Sequence, residues 1–104
     1  MLRIYDVVLE LIRSLKPLLE AIGRKDPDLE RQCRRALCSI PLNIAEGSYS
    51  QGRNRRARYH NAMGSAREAL ACFEAAEALG YIDGIGPANA AFDHVLGTLF
   101  KATR

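Results

Sequence analysis

The stretch DPDLERQCRRALCSIPLNIAEG, residues 26–47, decides the fold. Asp26 followed by Pro27 supplies a side-chain acceptor for a helix N-cap and a first helical residue whose missing N–H costs nothing. Leu29, Cys33, Ala36, Leu37, Ile40 and Ile44 then recur every three or four residues, the period of one helical face, while Arg31, Arg34 and Arg35 fall on or beside the other face. Pro41 interrupts the pattern, yet Ile44 resumes the stripe set by Leu37 and Ile40. The spacing therefore predicts one helix running through Pro41 to about Gly47.

Working outward, Ile4, Val7, Val8, Leu11, Ile12, Leu15, Leu18, Leu19 and Ile22 form another stripe of helical period, with a bend expected at Pro17 and Gly23 as the residue just past the end. On the other side, Gly47 to Gly52 is a chargeless, turn-rich loop. A third helix is expected from Arg53 or Asn54, with Tyr59, Met63, Ala66, Leu70, Phe73 and Ala76 buried, running to Leu79 and ending at Gly80. Gly64, Ser65 and Ala66 lack bulk, so a neighbouring helix is expected to approach closely there. Pro87 is placed to open a fourth helix carrying Ala88, Ala91, Phe92, Val95, Leu96, Leu99 and Phe100. No segment alternates as a strand does. Four amphipathic helices on short connections bury their stripes most simply as an all-α, antiparallel up-down-up-down four-helix bundle. A bundle this small, with many Ala and Gly core positions, gains from association into a homo-oligomer.

The 104 residues fit one domain, residues 1–104, and leave no room for a multidomain enzyme. A 26% charged and 48% hydrophobic composition argues against disorder, and no apolar run reaches a membrane span. Met1 to Leu11 mixes apolar with charged residues, so an export signal is not expected. Cys33, Cys38 and Cys72 are odd in number and lack C-x-x-C spacing, which points to neither a disulfide framework nor a zinc knuckle and suits a reducing cytoplasm. The net charge of +3 is unevenly spread: residues 47–67 carry five bases and no acid, whereas residues 68–104 carry two bases and five acids.

Arg34-Arg35-Ala36-Leu37-Cys38-Ser39-Ile40-Pro41-Leu42-Asn43-Ile44-Ala45-Glu46-Gly47 resembles the R-R-A-x-x-S-I-P-x-N-I-A-E-G hallmark of the bacterial four helix bundle protein family. That family includes proteins encoded by intervening sequences within large-subunit ribosomal RNA genes and the accessory variability determinant of diversity-generating retroelements. Ala62 to Glu68, with Gly64, Ser65 and Glu68, and then Ala78-Leu79-Gly80-Tyr81-Ile82 are similar to its second and third patterns. The resemblance covers essentially the whole chain. It implies a four-helix bundle assembled into a ring-like homo-oligomer, a pentamer, with a basic surface.

The motif residues have physical roles of their own. Ser39 is expected to return a hydrogen bond to a carbonyl one turn back and ease the bend at Pro41. Asn43 and Glu46, if buried, need partners, for which Ser65, Glu68 or an arginine are candidates. Arg53, Arg55, Arg56 and Arg58 crowd the start of the third helix, where the helix dipole disfavours cations. A nucleic-acid site that neutralises phosphates explains this, with Arg34 and Arg35 extending it and Tyr49 or Tyr59 as stacking surfaces. The rival explanation is a solvated face or salt bridges between subunits to Glu74, Glu77 or Asp83. His60 and His94 stand alone without metal-ligand spacing, and hydrolase elbows, phosphate loops and dinucleotide fingerprints are absent. No catalytic residue, metal or cofactor is expected. The reading is a non-enzymatic oligomer that binds RNA or DNA through arginines, an accessory to a reverse transcriptase or a ribosomal-RNA-associated protein. The alternative is a protein-interaction scaffold.

Overall fold

The computed structural model describes residues 3–104. Met1 and Leu2, the start of the segment read above against an export signal, lie outside the described residues. Four helices follow in order: α1 (Ile4–Lys25), α2 (Pro27–Ser48), α3 (Gly52–Ala78) and α4 (Ala88–Thr103). No strand occurs among the described residues. At 1.5 Å per residue the 27 residues of α3 span about 40 Å, which matches the 42 Å long axis of the molecule, so the helices lie along it. Each helix packs on its neighbour in sequence, and α4 closes against α1. Of these four interfaces α2–α3 is the most intimate and α1–α4 the slightest.

A single residue joins α1 to α2. The Asp26 backbone N–H donates to the Ile22 carbonyl at 2.7 Å, ending α1, while its side chain accepts from the Leu29 N–H at 3.0 Å, starting α2. Its other carboxylate oxygen accepts from the Tyr81 hydroxyl at 3.3 Å, which ties the turn to the α3–α4 connection. Gly23 therefore does not end α1, as its sequence position suggested: the helix continues two residues because Asp26, rather than a left-handed glycine, satisfies its last turn. Gly80 does act as a terminator. Its φ of +79° is a left-handed conformation, and Gly80 and Tyr81 donate to the carbonyls of Glu77 and Ala76, both at 2.9 Å, closing a Schellman motif.

The core runs through all four helices, with Val8, Leu15, Ile22, Leu37, Ile40, Ile44, Phe73, Phe92 and Leu99 almost fully buried. Phe73 and Phe92 pack as tilted rings with centroids 6.5 Å apart. Pro17 and Pro41 both lie inside helices. Along α3 the buried face is made largely of Ala62, Ala66, Ala69 and Ala76, which lets α2 approach closely. Some expectations fail here. Leu70 is half-buried and packs on the edge of the core, whereas Leu79 and Phe100 are exposed, because α3 and α4 turn those two positions away from the bundle axis. Gly64 is also exposed, with open space around it, so the close approach is made by Ser65 and Ala66 instead. Pro87 precedes α4 as its N-cap rather than forming its first residue.

Candidate functional site

The two helices with the closest interface carry almost all of the motif residues, and they face one another in antiparallel register. At the centre of the seam the Ser39 and Ser65 hydroxyls lie 2.7 Å apart. Asn43 Nδ2 donates to the Ser39 carbonyl at 2.9 Å and to its hydroxyl at 3.0 Å. Ser39 thus bonds across to α3, not back to its own helix as expected; the side chain that reaches a carbonyl one turn back is Asn43. One turn beyond, Glu46 pairs with Arg58 at 2.9 Å. Asn43 and Glu46 are half-buried and exposed respectively, so neither is a buried charge in need of rescue. Gly47 then permits contact that no other residue allows, since a Cβ there would overlap the Tyr59 ring.

The arginines divide into two groups. Arg55 Nε donates to the carbonyls of Gly47 at 3.2 Å and Ser50 at 2.9 Å. Those groups stand at the C-terminus of α2, whose last turn has no basic residue of its own, so Arg55 neutralises the negative end of one helix from the first turn of the next. Arg58 is held by Glu46, and Arg34 reaches Glu30 at 2.8 Å. Arg55, Arg58 and Arg34 are therefore occupied within the chain. Arg35, Arg53 and Arg56 form no ion pair among the described residues and are exposed.

Two residues outside the predicted set join them. Positions 53, 56, 60 and 67 fall on one face of α3, so Arg53, Arg56, His60 and Arg67 make an exposed stripe about 21 Å long. The ridge beside it is Ala57, Gly64 and Ala71, all exposed and short. A sequence signal for this existed. Arg13, Arg31 and Arg34 each have an acid three or four residues earlier and pair with it, whereas Arg35, Arg53, Arg56 and Arg67 have none within that reach on either side. Arg55 and Arg58 have no local acid either; their partners come from α2, which no spacing reveals.

Of the stacking candidates, Tyr59 is core at 3% exposure and Tyr49 is 86% exposed. His60 and His94 are both exposed. Cys33 and Cys72 are buried, and Cys38 is exposed. Burial, reinforced by the neighbouring Cys72 thiol, pushes the Cys33 thiol up to about 12, which keeps it protonated and unreactive. No group of three metal-binding side chains occurs among the described residues, and no helix is long and apolar enough to cross a membrane.

No curated protein matches the chain. Among solved structures it is similar to a protein of unknown function from the S23 ribosomal protein family of Bacteroides thetaiotaomicron, with 20% identity, a TM-score of 0.83, and 97% of this chain and 98% of that one covered. That likeness shows the shared four-helix fold. Residues 2–89, which contain the whole α2–α3 seam, match the family model described as 23S rRNA-intervening sequence protein, and the chain belongs to that family.

Proposed function

We propose that the protein is a non-enzymatic RNA-binding bundle that grips the phosphate backbone through the exposed face of α3. The observation that carries this reading is the stripe of Arg53, Arg56, His60 and Arg67, which has no acid within helical reach. Guanidinium groups left without a carboxylate on a surface are suited to phosphate, which each can bind bidentately. Tyr49, exposed at the nearby end of α2, offers a ring on which a base can stack. The family's association with ribosomal RNA intervening sequences favours RNA over DNA; nothing in the match points to a reverse transcriptase.

Binding of a fluorescent single-stranded RNA, followed by anisotropy, tests it. Three phosphate contacts from Arg53, Arg56 and Arg67 give a log–log salt slope of about −2, so affinity falls about twentyfold between 50 and 200 mM salt. Replacing those three arginines with Gln should abolish the salt-dependent part at every sequence. Salt-independent binding, or none at low salt, refutes the reading.

A second reading, self-association into the ring implied by the resemblance, rests on different residues. Tyr49 is exposed within residues 47–67, which carry five bases and no acid, with exposed Leu42 two turns before it, while Leu79 and Phe100 are exposed within residues 68–104, which carry two bases and five acids. Exposed apolar side chains on segments of opposite charge fit a head-to-tail contact between copies better than a twofold one. Light scattering at micromolar concentration tests it, and a monomer there would refute it.

A further inference from the structure

The α2–α3 seam has one end that is ion-paired and one that is not. Each helix carries an arginine and, three turns later, a glutamate: Arg35 and Glu46 on α2, Arg58 and Glu68 on α3. Because the helices are antiparallel, each arginine stands opposite the other helix's glutamate. Glu46 and Arg58 pair at 2.9 Å. Arg35 and Glu68 make neither an ion pair nor a side-chain hydrogen bond among the described residues, and instead border a solvent-open groove of about 530 Å³. Its remaining lining is Gln32, Ala36, Ser39 and Ser65, with the Ser39–Ser65 hydrogen bond as floor.

An occupant must offer an acceptor to Arg35 and donors to Glu68, because guanidinium only donates and carboxylate only accepts. A nucleotide does both, with phosphate at one end and base edge at the other. Among the bases, guanine alone presents two adjacent N–H donors on its Watson–Crick edge, which a carboxylate can accept bidentately; cytosine and adenine present one amino group, and uracil a single ring N–H. We propose that this groove is a subsite for one unpaired guanine nucleotide of a bound RNA, with Arg35 on the phosphate, Glu68 on the base edge and Gln32 beside it. The groove and the arginine stripe border the same exposed surface of α3, separated only by the low ridge of Ala57, Gly64 and Ala71, over which a strand can pass.

The proposal deepens the RNA reading but is tested apart from it, with guanosine 5′-monophosphate against uridine 5′-monophosphate in a backbone-amide NMR titration of the full chain. Guanylate should bind in the roughly millimolar range, shift the amides of Gln32, Arg35, Ser39, Ser65 and Glu68, and bind at least about fivefold tighter than uridylate. Glu68→Gln should weaken guanylate more than uridylate and so erase that preference, and Arg35→Gln should weaken both nucleotides alike. Both positions are exposed, so both variants should retain the wild-type amide spectrum elsewhere. Equal binding of the two nucleotides, a guanylate preference that survives Glu68→Gln, or shifts confined to the α3 stripe would overturn the proposal. Loss of strand binding with guanylate binding intact would instead refute the RNA reading alone.

Discussion

Adding one methyl group to Gly47 and one to Gly64 should move stability in opposite directions. Both glycines lie inside helices, where Gly→Ala alone gains about 1 kcal/mol. At Gly64 that gain should be realised, because a Cβ there meets nothing within 4 Å. At Gly47 the new carbon overlaps the Tyr59 ring and lies 3.2 Å from Arg58 Cβ. Neither neighbour is the loose end of a side chain: Tyr59 is 3% exposed and Arg58 Cβ is fixed to the α3 backbone. Relief requires α2 and α3 to separate where Arg55 ties them, at an overpacking cost of about 1–3 kcal/mol. The helix-propensity gain is common to both, so the two variants should differ by the overpacking cost, about 1–3 kcal/mol, or about 5 °C or more in melting temperature for a domain of this size. Thermal melts followed by circular dichroism at one fixed protein concentration measure this without a change in mass action. Tyr59→Leu should make the Gly47→Ala cost less than additive, since it removes the ring that the methyl strikes. A Gly47→Ala variant that melts at or above the wild-type temperature would show that the α2–α3 contact is looser than described.

Three further outcomes follow from the same interface and core. A double-mutant cycle of Ser39→Ala and Ser65→Ala should give a coupling of about 0.5–1.5 kcal/mol in urea unfolding, with additive losses counting against the hydroxyl pair. Arg55→Ala should cost about 1–2 kcal/mol, because two carbonyls at the end of α2 lose their donor, whereas Arg58→Ala removes only an exposed pair and should cost at most about 1 kcal/mol; equal losses would refute the distinction. Stability should fall as pH rises from about 9 toward 12, because burial raises the Cys33 thiol from 9.0 to about 12 and raises Cys72 as well. Above pH 9 the unfolded chain has released those protons while the folded chain retains them, so the slope is negative. Cys33→Ser should flatten that slope, and a thiol reagent at pH 8 should label Cys38 rapidly and the other two only on unfolding.

The helices were legible because their signals are local. Asp26-Pro27 caps α2 as its residue types require, and Gly80 ends α3 because only a left-handed residue closes that turn. The ends that misled were those where a different residue supplied the terminating bond, as Asp26 did in place of Gly23. The partnership of Ser39, Asn43 and Ser65 was legible only as a need for partners. Which hydroxyl meets which depends on the register of α2 against α3, and that register is set by Gly47 and the small residues of α3 acting together. The same limit applied to the arginines. The ion pairs within helices all join residues three or four apart, a spacing at which Arg35, Arg53, Arg56 and Arg67 have no acid, whereas the use of Arg55 and Arg58 on α2 follows from tertiary contact.

The cost of the free arginines bears on why they are there. Arg53 and Arg56 are three residues apart, so they repel one another, and both stand near the positive end of α3, whose first turn has no acid. Each effect is a few tenths of a kcal/mol, and nothing among the described residues offsets them. Arg55 stands in the same turn, yet its charge is answered by the carbonyls of α2, so position alone does not make an arginine unfavourable here; the absence of a partner does. Arg53→Gln with Arg56→Gln should accordingly raise stability in the absence of ligand by about 0.3–1 kcal/mol at low salt, and the gain should shrink at high salt as screening removes the repulsion. The same double variant should lose RNA affinity. If it is instead less stable than the wild type, the two guanidiniums have partners in the folded protein, and the stripe belongs to an interface between copies of the chain rather than to a phosphate backbone.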